Sequence, residues 1–168
     1  MTNLDLGVYN ISLVNCNRIF EKYAFKCGGG VNHRMGLYDA AMIKENHIAW
    51  TDNLNNAVKK IRLNSPFTTH IIIEAENIEQ AKEAVLAGAD SVLLDELSPE
   101  IIKKNVQELR DLSMNSLKKE VNKNLIIEVS GINPEEISKY LIKGIDLIST
   151  SSSITKSNWI DLSMRYIN

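Results

Sequence analysis

Five short apolar runs alternate with amphipathic helical stretches, a pattern that predicts an α/β fold built on parallel strands. The runs cover 41–46, 70–75, 91–96, 125–130 and 146–150, and each is followed or closed by a polar residue. Lys44, Glu74, Asp95, Ser130 and the serine-rich stretch 149–153 therefore fall at the carboxyl ends of successive strands. Chemistry repeated along one rim is the signature of a (β/α) barrel, whereas an open sheet gathers its site at one switch point. The expected class is a partial, TIM-like barrel with parallel strands. An eight-stranded barrel takes about 250 residues, so a chain of 168 residues is expected to hold only part of one.

Taken in order, residues 1–17 show no clear period, charge pattern or repeat and read as an atypical lead before a barrel domain over 18–168. Strands covered on both faces should be brief and continuously apolar, as Ile71-Ile72-Ile73 and Val92-Leu93-Leu94 are. The helices between them have readable ends. Asp52 or Asn53 can cap the stripe Leu54, Val58 and Ile61, and Asn77 can start Ile78, Ala81 and Val85, which end at Gly88. Ser98-Pro99-Glu100 opens a longer helix carrying Ile102, Val106 and Leu109. Asn133-Pro134-Glu135-Glu136 opens another, expected to stop at Gly144.

Composition narrows the function. A net charge of −2 carries no basic footprint, and the lysines at 103–104 and 118–119 suit solvated helix faces, so no nucleic-acid partner is expected. No apolar run reaches membrane-spanning length and the first residues lack a signal-peptide pattern, which predicts a cytoplasmic protein without a membrane partner. Cys16 and Cys27 match no metal or redox spacing and read as reduced thiols.

The densest chemistry lies in 27–47. Gly28, Gly29 and Gly30 let the backbone approach a ligand, and His33, Arg34 and Lys44 can place positive charge on one carboxylate- or phosphate-bearing molecule. A plain turn and surface cations are the alternative. Lys44 ends an apolar run, where an unpaired lysine is costly and needs an anion. His47 has no comparable argument and reads as structural. Glu74 and Asp95 leave buried strands, so each should meet a base, a metal or sugar hydroxyls; a Lys44–Glu74 salt bridge is the structural alternative. Ser130-Gly131-Ile132 and 149–153 are either phosphate-accepting nests or ordinary loops.

Together these residues resemble the quinolinate phosphoribosyltransferases, the carboxylating nicotinate-nucleotide pyrophosphorylases. The resemblance runs from Arg18-Ile19-Phe20-Glu21-Lys22 through GGGVNHRMGLYDAAMIKENH, Glu74-Ala75-Glu76-Asn77, Gly88-Ala89-Asp90, Leu93-Leu94-Asp95, Ser130-Gly131-Ile132 and Gly144-Ile145-Asp146 to Ile160-Asp161-Leu162-Ser163. It implies that His33, Arg34 and Lys44 line a pocket for the two quinolinate carboxylates. Glu74 and Asp95 would lie by the ribose hydroxyls and Mg²⁺ of phosphoribosyl pyrophosphate, directly or through water or substrate. Ser130, Gly131, Ser149, Ser151 and Ser152 would receive the 5-phosphate. Lys44, Glu74 and Asp95 are the catalytic candidates, Mg²⁺ the implied cofactor, and a homodimer or higher homo-oligomer the implied assembly.

The sequence departs from the family pattern in four places. Ile11 and Ser12 stand where an Arg-Lys pair is usual, and a chain of this length is expected to lack room for the family's amino-terminal domain, which adds an arginine to the partner's site. Only one glycine follows Ser130, and Ser151 replaces a common glycine. Glu96 replaces the asparagine usual after the acid matching Asp95. Two other readings follow: an inactive truncated fragment or half of a split enzyme, and another phosphate-binding barrel enzyme.

Overall fold

The structure, a computed structural model, describes residues 7–10, 18–50, 53–116, 124–158, 161 and 163–165. Strands β1 (Gly7–Asn10), β2 (Val31–Asn32), β3 (Ala40–Ile43), β4 (His70–Ala75), β5 (Ser91–Asp95), β6 (Ile126–Ser130) and β7 (Leu147–Ser149) form one seven-stranded sheet in the order β2-β1-β7-β6-β5-β4-β3. Every pairing is parallel. The five expected runs hold β3 to β7, but the first, 41–46, leaves β3 after Ile43 and enters α2 at Glu45. Two strands come in addition: β1, from the lead stretch without a readable period, and the two-residue β2. The departures at Ile11 and Ser12 lie outside the described residues.

Helices α1 (Arg18–Cys27), α2 (Glu45–Ala49), α3 (Leu54–Asn64), α4 (Ile78–Leu86) and α5 (Pro99–Ser116) lie between strands, and α6 (Ser152–Thr155) follows β7. Asn53 caps α3 by accepting from the backbone N–H of Asn55 and Asn56, and Asn77 caps α4 by accepting from Gln80. The expected helix after Asn133 is instead a 3-10 helix, Pro134–Tyr140. Buried Tyr140 anchors its end, and a tight turn with Ile142 N–H on the Tyr140 carbonyl replaces the next helical bond. The stretch before β2 also forms a helix, α1, whose pattern is inverted: Ile19, Phe20 and Tyr23 are exposed while Lys22 is buried.

Alternation along each strand separates two interiors. Ile71, Ile73, Ala75, Val92, Leu94, Ile127, Val129 and Ile148 pack with the helices in the main core. The other face carries Ala40, Ile72 and Leu93 with Met42 against them, and then the polar residues of the rim.

One device fixes this frame twice. Arg62 of α3 donates to the carbonyls of Thr69 and Gly88 and to Asp90, whose other oxygen accepts the Ile71 N–H at 2.7 Å. Arg110 of α5 donates to the carbonyls of Leu125 and Gly144 and to Asp146, which accepts the Ile127 N–H at 2.7 Å. Both clamps use a Gly-x-Asp turn whose glycine has positive φ, 86° at Gly88 and 101° at Gly144, a region closed to most side chains.

Candidate active site

The rim is built by strand ends. Lys44 follows β3 with extended backbone and begins α2, and its Nζ lies 2.7 Å from Glu74 Oε2. Glu74 sits on β4 beside Asp95 of β5, and Asp95 accepts from the Ser130 hydroxyl of β6. Four residues from four adjacent strands thus meet along one edge of the interior. Burial pushes the Glu74 carboxyl above the usual range, Lys44 opposes that shift, and the charge of Asp95 adds to it. The expected ion pair is present without isolating Glu74 from the other acid, so the structural and functional readings of Lys44 coexist. His47 accepts the Lys44 backbone N–H at 3.1 Å, a local structural role.

The phosphate-nest candidates also come together. Gly131 adopts φ 77°, and a Cβ there would lie 2.9 Å from Glu96 Cγ. Thr150 donates from its hydroxyl to the Ile132 carbonyl at 2.7 Å, tying the two loops, and accepts the Ser152 N–H at 3.1 Å. Ser149 is fully buried, with its hydroxyl on the Val129 carbonyl, so it supports the loop from beneath. Ser151 and Ser152 are half-buried at the start of α6.

His33 and Arg34 occupy a second place, a cavity of about 250 Å³ walled by residues from the strand beginnings, including His70, Ser91, Ile126 and Leu147. Arg34 donates to the Ala40 carbonyl at 2.8 Å and reaches the Met42 sulfur at 3.6 Å. His33 Nε2 lies 3.5 Å from Glu128 Oε2. His33 and Arg34 therefore sit a layer below Lys44, and Arg34 reaches toward it through Met42 on the same strand face. Gly28 and Gly30 close the turn after α1 with bonds to the Ala24 and Phe25 carbonyls, and a Cβ at Gly30 would meet the Phe25 ring at 2.2 Å.

Two buried residues escaped the sequence reading. Lys22 is 2% exposed and donates to the His33 carbonyl at 3.0 Å; burial, then Arg18, lowers its pKa, against Asp39. Its inverted helix hid it. Glu128, also 2% exposed, stands two residues before Ser130 and so shares its strand face. That period of two, with an acid amid Ile126, Ile127 and Val129, was its signal.

Parallel strands carrying acids, a lysine and serines on their carboxyl edge define a TIM-like α/β barrel domain. The chain belongs to the quinolinate phosphoribosyl transferase family, as its C-terminal domain: the family model matches residues 16–165. A relative in Methanothermobacter thermautotrophicus, a probable nicotinate-nucleotide pyrophosphorylase (carboxylating), is 40% identical over 146 residues, covering 86% of this chain and 50% of the relative. One with the same description in Synechocystis is 34% identical, over 89% of this chain and 48% of its own length. The crystal structure of NadC from Streptococcus pyogenes superposes with a TM-score of 0.78 at 33% identity, covering 96% of this chain and 53% of that one. The chain spans about half the length of the curated relatives it matches.

Proposed function

We propose that this domain carries the transfer chemistry of a quinolinate phosphoribosyltransferase, which forms nicotinate mononucleotide, pyrophosphate and CO₂ from quinolinate and phosphoribosyl pyrophosphate. The observation that carries the reading is the line Lys44–Glu74–Asp95–Ser130 along one rim: an ion pair joins the first two residues, a hydrogen bond joins the last two, and the charge of Asp95 acts on Glu74.

Arg34 and Lys44, with His33 beside them, bind the dicarboxylate; guanidinium and ammonium are the natural partners for carboxylates where water is scarce. The pyridine nitrogen forms a bond to the anomeric carbon as the bond to pyrophosphate breaks. Glu74 and Asp95 place negative charge where the ribose becomes oxocarbenium-like, in a site where Glu74 is buried and Asp95 partly so. Ser130, Gly131, Ser151 and Ser152, held from beneath by Ser149, receive the 5-phosphate through backbone N–H groups and hydroxyls. Loss of the 2-carboxylate as CO₂ then leaves an electron pair on the ring carbon, which takes a proton, while the cationic ring accepts the developing charge.

The donor set also fits Mg²⁺. Glu74 and Asp95 are hard oxygen donors on neighbouring strands, and among the described residues no group of three acids, histidines or cysteines could cage a metal alone. Mg²⁺ is commonly held by one or two carboxylates plus substrate oxygens. Glu74 and Asp95 would hold the ion in that shared way, and its chemistry is neutralisation of the leaving pyrophosphate.

A homodimer or higher homo-oligomer and a cytoplasmic setting belong to the same proposal. Exposed Cys27 is a free thiol, which suits a reducing compartment, and no described helix is long and apolar enough to cross a membrane.

Calorimetric titration with quinolinate tests the pocket. Lys44→Ala should weaken binding about tenfold or more, the scale of one lost charge-assisted contact. Equal affinity in both proteins would remove the assigned pocket. Product analysis with phosphoribosyl pyrophosphate and Mg²⁺ then separates binding from turnover.

A further inference from the structure

The interior below the rim contains a carboxylate that the transfer chemistry leaves unused. Glu128 Oε2 lies 3.5 Å from His33 Nε2, and Glu128 Oε1 is buried without a hydrogen-bond partner. Glu128 and Arg34 both line the 250 Å³ cavity. His33 Nδ1 accepts the Arg34 backbone N–H at 2.8 Å, so that nitrogen carries no proton and the ring proton falls on Nε2, toward Glu128. That N–H orients the carboxylate through Oε2 and leaves Oε1 unsatisfied. Asn32 Oδ1, a second buried acceptor without a partner, lines the same cavity.

The opposite polarity comes from Arg34. Its side chain is engaged by one carbonyl and by the Met42 thioether, a weak acceptor, so the guanidinium keeps capacity for an anion. One wall of the cavity therefore attracts a carboxylate, and another, made of Glu128 and Asn32, repels it.

We propose that Glu128 is a specificity-determining residue that excludes carboxylates from its side of the cavity. A bound pyridine dicarboxylate must then keep both acids away from Glu128 and toward the Arg34 side, which favours adjacent carboxylates over separated ones. The choice of ligand class rests on the function proposed above; the repulsion itself rests on the buried carboxylate.

Calorimetry on the full chain, Glu128→Gln and Glu128→Leu with the pyridine 2,3- and 2,5-dicarboxylates tests this. Glutamine keeps the shape and removes the charge, and leucine provides an apolar replacement should glutamine fail to fold. Removing a like charge at close range should raise affinity for the 2,5-isomer about tenfold and leave the 2,3-isomer within about threefold. The unaltered chain supplies an independent arm: changing the 5-carboxylate of that ligand to a carboxamide, whose N–H can donate to Glu128 Oε1, should raise affinity by a similar factor. No gain in either arm would overturn the proposal. Failure of the unaltered chain to bind the 2,3-isomer would instead remove the proposed substrate, while the gains for the 2,5 ligands would still decide the role of Glu128.

Discussion

Glu96 follows Asp95 with φ 52°, the one described non-glycine residue at positive φ. L-residues other than asparagine and aspartate rarely visit that region, at a cost of roughly 1–2 kcal/mol. An asparagine, which the family resemblance implies at that place, tolerates the conformation through its short side chain, so Glu96 is the strained alternative. Glu96→Asn should stabilise the domain by about 1 kcal/mol, read as a higher urea midpoint at unchanged slope; an unchanged midpoint would remove strain as the explanation. Gly131 faces the same residue, so the rim contains two left-handed residues in contact. The departure at Glu96 was legible in the sequence as an unusual residue. Its physical meaning required the backbone angle.

At the scale of elements, the Arg62–Asp90 and Arg110–Asp146 clamps perform the same task in different surroundings. Each ties a helix to the start of the next strand and satisfies a strand N–H. The side chain of Asp90 is 2% exposed, that of Asp146 42%. Removing one partner of a buried pair leaves an uncompensated charge and costs about 3–5 kcal/mol, whereas exposed pairs contribute about 1 kcal/mol or less. Asp90→Ala should therefore destabilise far more than Asp146→Ala in matched urea unfolding. Equal losses would show that burial does not set the difference. Gly88-Ala89-Asp90 and Gly144-Ile145-Asp146 are visible as a repeated triplet, but the arginines, 28 and 36 residues earlier, are joined to them only by folding.

For the whole molecule, the decisive feature is where the sheet ends. β2 and β3 are its two edges, and the Arg34 side chain, just after β2, bonds the Ala40 carbonyl at the start of β3. Two separate guanidinium nitrogens hold that carbonyl and the Met42 sulfur, a fork that the single nitrogen of a lysine lacks. Arg34→Lys should speed amide exchange in β3 relative to β4 and β5, measured by mass spectrometry. Unchanged protection would mean that the edges are held by other contacts. Among the described residues the sheet thus reaches seven strands by recruiting β1 and β2, and β2 and β3 remain its edges.

The sequence by itself determined the parallel α/β class, five of the strands, a cap at Asp52 or Asn53 and another at Asn77, and the polar rim, because those properties follow from local period and from residues at fixed offsets along one strand. β1 and α1 were not legible: β1 lies in a stretch without a period, and α1 buries a lysine while exposing Ile19, Phe20 and Tyr23. Only the tertiary structure decided that His33 faces Glu128 and that the cations occupy two levels. Those relations depend on strand register, which brings residues 95 positions apart within 3.5 Å and leaves no trace in the spacing of the chain.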